Sequence, residues 1–228
     1  MSLIHAQNIR KTFGAGELAA EVLRGISMDV HEGEFLAIMG KSGAGKSTLL
    51  YQLSLLDTPT EGSLNITDVD VLALSEQKKT AFRLNTLGFV FQDYALVPDL
   101  TAEENVILPL LMKGVSIKEA RTTAHKSIDE VGLAGKYQNL PSQLSGGEQQ
   151  RISIARAIAG RPRILFADEP TANLDTASGT AVIDLITCLN KEYGQTTVMV
   201  THEREYASNC NRLLHMEDGQ IVKEEKNS

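Results

Sequence analysis

Apolar and polar positions change rhythm three times along the chain. The first ~35 residues read as β structure, with strands over Leu3–Ile9 and Leu23–Val30 and a turn at His31-Glu32-Gly33. Phe35–Met39 is a short apolar run stopped by a glycine, the pattern of a buried strand. Residues 46–56 read as a helix and Leu87–Gln92 as another strand. From about Asp99 to Gly160 the pattern is helical. Ser116 and Glu119 have the spacing of a capping box at one helix start, and Gly132 suits that helix's end. Gly147–Ala159 reads as a further helix. Apolar β-type runs return at Ile164–Ala167 and Thr196–Val200. Between them, Thr176–Tyr193 places Val182, Ile183, Ile186 and Leu189 on one helical face, closed by Gly194. Leu213–Met216 and Gln220–Lys223 flank Glu217-Asp218-Gly219, a hairpin pattern. Strands alternating with helices imply an α/β fold with a largely parallel sheet. The helical stretch reads as an insertion into that core.

Composition narrows the class. The chain has 228 residues, 42% of them hydrophobic and 22% charged, enough for one large domain with a proper core. The net charge of −7 argues against the basic footprint of a nucleic-acid binder. Cys188 and Cys210 fall in segments that read as helical, without metal-ligand spacing, which suits two thiols in a reducing compartment. No apolar run approaches the ~20 residues that span a bilayer, and the N-terminus lacks the pattern of a signal peptide. A soluble cytoplasmic protein is the expectation, held at any membrane by something else.

Gly40-Lys41-Ser42-Gly43-Ala44-Gly45-Lys46-Ser47 fits a phosphate-binding loop, with a strand before it and a helix after it. Its glycines let several backbone N–H groups point at one centre, and the helix N-terminus adds partial positive charge. Lys46 can reach the outer phosphates, and the Ser47 hydroxyl can ligate Mg²⁺. Asp168 follows the apolar run Ile164–Ala167, where an acid at a strand's C-terminal end can hold the Mg²⁺ shell. Glu169, beside it, could polarise an attacking water.

Leu144-Ser145-Gly146-Gly147-Glu148-Gln149-Gln150-Arg151 makes this specific, because it resembles the signature motif of ABC ATPases. A Ser and two glycines opening a helix also suit an anion on physical grounds. Other elements match that family in order and spacing, over about residues 3–224. Gln92 resembles the Q-loop glutamine, Asn173-Leu174-Asp175 the D-loop and His202 the switch histidine. Phe13 resembles the aromatic that stacks on adenine, with core packing as its rival reading. The resemblance implies a P-loop NTPase core with a mainly parallel sheet, an N-terminal antiparallel β subdomain and an inserted α-helical subdomain. It divides the single domain into core residues of about 1–98 and 161–228 and a helical signature subdomain of about 99–160. It implies catalytic roles for Lys46, Glu169 and His202. Contacts to ATP are implied for Phe13, residues 40–48 including Thr48, Gln92, Ser145, Gly146, Gly147 and Asp175. Ser47, Gln92 and Asp168 are the implied Mg²⁺ ligands.

Gly88–Gln92, Leu100–Val106 and Ala167–Asp175 are similar to the group of lipoprotein-release, macrolide-export and cell-division cassettes. That implies a cassette homodimer with two ATP sandwiched between its chains. It also implies separate transmembrane subunits, of the four-helix type with a large extracytoplasmic domain, and a peripheral place on the cytoplasmic face of the inner membrane. Lys41 stands where many relatives have Pro, Ala172 where Gly is frequent and Glu203 where Asp is frequent. Three rivals stay open: a force-transmitting cassette of cell division, a soluble ABC ATPase working on nucleic acid or ribosomes, and a small-molecule kinase. The remaining histidines (His5, His31, His125 and His215), Lys78-Lys79 and the charged tail 223–228 read as structural or solvated positions.

Overall fold

The structure, a computed structural model, describes residues 2–227, the side chain of Glu17 excepted. In chain order its elements are β1 (Ser2–Phe13), β2 (Ala20–His31), β3 (Phe35–Gly40), α1 (Lys46–Leu53), β4 (Glu61–Ile66), β5 (Val69–Asp70) and α2 (Glu76–Thr86). There follow β6 (Leu87–Val90), α3 (Ala102–Met112), α4 (Ile117–Glu130), α5 (Gly146–Ala159), β7 (Ile164–Asp168) and α6 (Thr176–Tyr193). The chain ends with β8 (Thr196–Val200), α7 (Arg204–Ala207), β9 (Arg212–Glu217) and β10 (Gln220–Lys226). Two compact units result, one of Met1–Ala81 with Leu189–Ser228 and one of Phe82–Cys188.

The first unit contains two sets of strands. An antiparallel sheet runs in the order β2-β1-β4-β5. β3 lies between β8 and β9 and is parallel to both, and β10 folds back antiparallel on β9. A strand with parallel neighbours and both faces covered needs a continuous apolar run. Phe35, Leu36, Ala37 and Ile38 supply it, all at 1% exposure or less. Burying each of the larger of these stabilises the fold by about 2 kcal/mol. The hairpin pattern at residues 217–219 is observed as the β9–β10 turn.

In the second unit β6 and β7 pair in parallel, Val90 opposite Ala167. α3, α4 and α5 pack on one another through Val106, Ile107, Leu110, Ala120, Ala124, Ile128 and Ile152, all buried. The small Ala120 and Ala124 let α4 approach closely. α5 also packs on β6, where a Cβ on Gly88 would lie 2.7 Å from the Ala157 carbonyl. Thr101 and Ser145 each cap a helix reciprocally with a glutamate three residues on.

Some local expectations are corrected. The helix over 46–56 stops at Leu53, because Leu55 is left-handed (φ 59°) yet buried, so the apolar run outlasts the helix. The strand over 87–92 stops at Val90 and leaves Gln92 in the following loop. The capping box at Ser116 is only half made. Its hydroxyl accepts from the Glu119 N–H, but the Glu119 carboxylate takes that same hydroxyl rather than a backbone N–H. Cys188 lies in α6, but Cys210 lies in the bend before β9. Lys79 is buried and bonded to Glu76 at 2.9 Å, so it is not a solvated charge.

Candidate active site

The first unit builds a phosphate cradle from β3 and α1. β3 delivers Gly40 to the loop, and a Cβ there would sit 2.3 Å from the Met216 carbonyl, so only glycine fits. Gly43 and Gly45 take φ of 80° and 92°, which side chains resist. The β9–β10 turn braces the loop, with the Gly219 N–H donating to the Ala44 carbonyl at 3.1 Å. Lys46 is buried, and its ammonium donates to the Lys41 carbonyl across the loop at 3.1 Å. No side chain caps the start of α1, as expected of a helix end arranged for an anion. Ser47 and Thr48 are half-buried in its first turn, and Lys41, Ser42 and Gly43 are exposed.

His202 follows β8 and is exposed. It lines a cleft of about 320 Å³ together with Gly40, Lys41, His215 and Glu217. His202 and the glycine-rich loop therefore share one cleft. His215 pairs with Glu225 at 3.1 Å, a structural contact. Phe13 ends β1 at 46% exposure with the Lys11 ammonium 5.0 Å from its ring, so it is not a core residue.

The second unit brings the remaining motifs to one edge of the β6–β7 pair. Gln92 follows β6, buried Asp168 ends β7 and half-buried Glu169 comes next, in a left-handed conformation at φ 42°. Tyr94 and Ala95 are left-handed too, and Arg156 of α5 donates to their carbonyls at 3.0 and 2.5 Å. Gln150 of α5 donates to the carbonyls of Phe91 at 3.3 Å and Pro170 at 2.8 Å. Asn173 donates to the Gln92 carbonyl at 3.0 Å. Val97, Leu100 and Thr101 are gathered by the buried amide of Asn105.

At the start of α5 the Ser145 hydroxyl accepts from the Glu148 N–H at 3.3 Å, and the Glu148 carboxylate accepts from the Ser145 N–H at 2.9 Å. That backbone bond, helped by Lys136, holds the Glu148 carboxyl below its usual range. A Cβ on Gly146 would meet the Tyr94 hydroxyl at 2.9 Å, and one on Gly147 would meet Ser178 at 3.0 Å. Both glycines thus serve close approach as well as any anion. Asp175 accepts from the Ser178 N–H at 3.0 Å and its hydroxyl at 2.7 Å, and these bonds keep it below the usual carboxylate range. Sequence reasoning did not single out Gln150, Arg156, Asn105 or Tyr94. The legible signal was a polar side chain, Gln150, four and eight residues before Ile154 and Ile158 on a buried face of α5.

Comparison with known proteins settles the family. Residues 23–172 match the family model described as ABC transporter. The chain belongs to the ABC transporter family. It is 48% identical over 222 residues to the lipoprotein-releasing system ATP-binding protein LolD of Aquifex aeolicus, covering 97% of each chain. It is 42% identical to the uncharacterized ABC transporter ATP-binding protein YknY of Bacillus subtilis, over 96% of this chain and 95% of that one. The macrolide export ATP-binding/permease protein MacB of Neisseria meningitidis is 46% identical over 97% of this chain, which spans 34% of that larger protein. Among solved structures, the dimeric ATP-binding cassette MJ0796 bound to ADP and Pi superposes with a TM-score of 0.92 at 41% identity, with 99% of both chains covered.

This ABC cassette is an ATP-binding and ATP-hydrolysing transporter subunit. Its fold is the expected P-loop NTPase type with mainly parallel core strands, an antiparallel sheet and helices. Among the described residues no helix is long and apolar enough to cross a membrane.

Proposed function

We propose that two copies of this cassette close around two ATP molecules and that hydrolysis reopens them, driving export or extraction through separate transmembrane subunits. Lipoprotein release is the leading reading and MacB-type efflux the related one. The observation that carries it is the match to LolD at 48% identity over 97% of both chains. In this reading the cassette sits peripherally on the cytoplasmic face of the inner membrane. Residues 99–160 act as the helical signature subdomain, and 1–98 with 161–228 as the core.

Each site residue then has a role. Phe13 offers a ring face to adenine. Residues 40–48 surround the phosphates, with Lys46 on the outer ones and exposed Lys41 adding charge to the loop. Glu169 takes a proton from water, whose oxygen bonds to the γ-phosphorus as the β–γ bridging P–O bond breaks, releasing ADP and phosphate. His202 steadies the γ-phosphate. Ser145, Gly146, Gly147 and Asp175 meet the nucleotide held by the opposite copy. Closure follows because ATP contacts both copies only in the closed state, and a ligand shifts an equilibrium by its differential affinity.

Ser47, Gln92 and Asp168 would hold Mg²⁺. Their oxygens suit this hard cation, which keeps several waters and needs few protein ligands. When bound, the ion neutralises phosphate charge.

A groove of about 250 Å³ in the second unit suits a cytoplasmic helix of a membrane subunit. Leu84, Phe89, Leu108 and Met112 give it apolar walls, and Lys113 and Arg156 give it cationic ends. Burial pulls the Lys113 ammonium below its usual range.

The test is purification of tagged Glu169→Gln from detergent-solubilised membranes with ATP, followed by identification of co-eluting chains. Four-helix subunits with a large extracytoplasmic domain are expected. Subunits with six or more spans would move the cassette to another transporter class, and none at all would favour a soluble ABC ATPase.

A further inference from the structure

We propose that Gln150 is a positioning residue for ATP hydrolysis, one side-chain amide that fixes the main chain beside both Gln92 and Glu169. The inference rests on the site reading above, in which Glu169 is the catalytic carboxylate.

Gln150 is fully buried, at 0% exposure, within α5. Its Nε2 carries two hydrogens and meets two carbonyls, Pro170 at 2.8 Å and Phe91 at 3.3 Å. Pro170 directly follows Glu169, and Phe91 directly precedes Gln92. One amide therefore spans the two loops that leave the β6–β7 edge. Glu169 needs such a hold. Its φ of 42° is a conformation that an L-residue keeps only where the surroundings over-determine it. One restraint is the turn in which the Ala172 N–H donates to the Glu169 carbonyl at 3.1 Å. Gln150 adds a further one. The Pro170 ring fixes its own φ, which leaves one fewer free torsion between the gripped carbonyl and the peptide that follows Glu169.

The remaining atom of the amide supports a geometric role. Oε1 of Gln150 is buried and has no hydrogen-bond partner among the described residues. An unsatisfied buried acceptor opposes folding. An apolar side chain of similar volume would avoid that cost, so what Gln150 supplies is its donors. The same helix starts with Ser145-Gly146-Gly147, and its Arg156 holds the carbonyls of Tyr94 and Ala95 beyond Gln92. A shift of α5 is thereby conveyed to the carboxylate that activates water.

The experiment uses the full chain and Gln150→Leu, which keeps the volume and removes both donors. Gln150→Met, unbranched like glutamine, replaces it where Leu does not fold. ATP turnover, the half-saturating ATP concentration and thermal unfolding are measured together. We expect kcat to fall about 10- to 100-fold, the cost of a small misplacement. The half-saturating ATP concentration should stay near wild type, and the unfolding midpoint should fall by roughly 4–8 °C, the loss of two neutral bonds in a chain of this size. In a Glu169→Gln background, replacing Gln150 should lower single-turnover phosphate release by much less than it does with Glu169 in place, because Gln150 acts in large part through Glu169. Unchanged kcat, or a full multiplicative loss in that background, overturns the proposal. So does a loss of turnover that is explained by an equal fall in ATP affinity. Wild-type turnover by Glu169→Gln alone would instead overturn the site reading beneath it.

Discussion

Asn105 offers a perturbation whose size can be worked from the structure. Its side chain is 1% exposed. Its Oδ1 accepts from the Val97 N–H at 2.8 Å, and its Nδ2 donates to the carbonyls of Val97 at 3.1 Å, Leu100 at 3.0 Å and Thr101 at 3.0 Å. Two amide hydrogens serve three acceptors, so the four contacts count as roughly three full bonds. At about 1 kcal/mol net per neutral bond, Asn105→Ala loses about 3 kcal/mol. Alanine recovers roughly 0.6 kcal/mol through its better helix propensity at this position in α3. A net loss of about 2.5 kcal/mol is the result. Asn105→Asp should be worse at neutral pH, because it keeps the acceptor for Val97 but sets a carboxylate against three carbonyls. Urea unfolding followed by circular dichroism reads both variants. A loss below about 1 kcal/mol for Ala, or an Asp variant milder than Ala, would refute this reasoning. The segment held runs from Val97 to Thr101, just beyond Gln92. Asn105 also lies in α3, three residues before Leu108 of the groove proposed for the membrane subunit, so partner-stimulated ATPase should fall more than basal ATPase in any variant that still folds.

Other outcomes follow from single contacts. Burial pushes the Glu103 carboxyl up, but bonds from His125 at 2.6 Å and Arg121 at 2.5 Å outweigh it and hold the group below its usual range. The stability this gives is complete above the unfolded carboxylate value of about 4.3 and is lost as pH falls through the lower folded value. Glu103→Gln should flatten the acid limb of a stability–pH profile below about pH 4.3, and an unaltered limb would contradict the assignment. Burial raises the Cys210 thiol to about 12, whereas Cys188 is exposed. A thiol reagent should therefore label Cys188 in the native protein and Cys210 only after unfolding; mass spectrometry distinguishes the two. Lys46→Ala should cut ATP turnover by about 100-fold or more, as loss of a phosphate clamp does; a wild-type rate would count against its role. Gly40→Ala would push a methyl group to 2.3 Å from the Met216 carbonyl and should abolish ATP binding in an equilibrium titration.

Motif spacing exposed the phosphate loop, the signature helix and the Asp168-Glu169 pair because each sits where a periodic element starts or stops. The parallel strands were legible because a strand covered on both faces must be apolar throughout. α2 was not, since Glu76–Thr86 is polar around most of its circumference and buries only Lys79 among its residues. β4 and β5 were missed because their alternation is short and shared with a Gly- and Asp-rich stretch. Leu55 misled the helix boundary, because burial and helicity part company at a left-handed residue. The gripping side chains Gln150, Arg156 and Asn105 stayed hidden for a different reason. Their partners are main-chain carbonyls, which leave no mark in a sequence.

The most direct test of the account is the mass of Glu169→Gln in solution, read by light scattering with saturating ATP and again with ADP. ATP held between two copies should give twice the chain mass, ADP should return the single-chain mass, and Lys46→Ala in the same background should stay single with either nucleotide. A single-chain mass for Glu169→Gln in saturating ATP, together with phosphate release at the wild-type rate, would contradict both the paired closure and the role of Glu169.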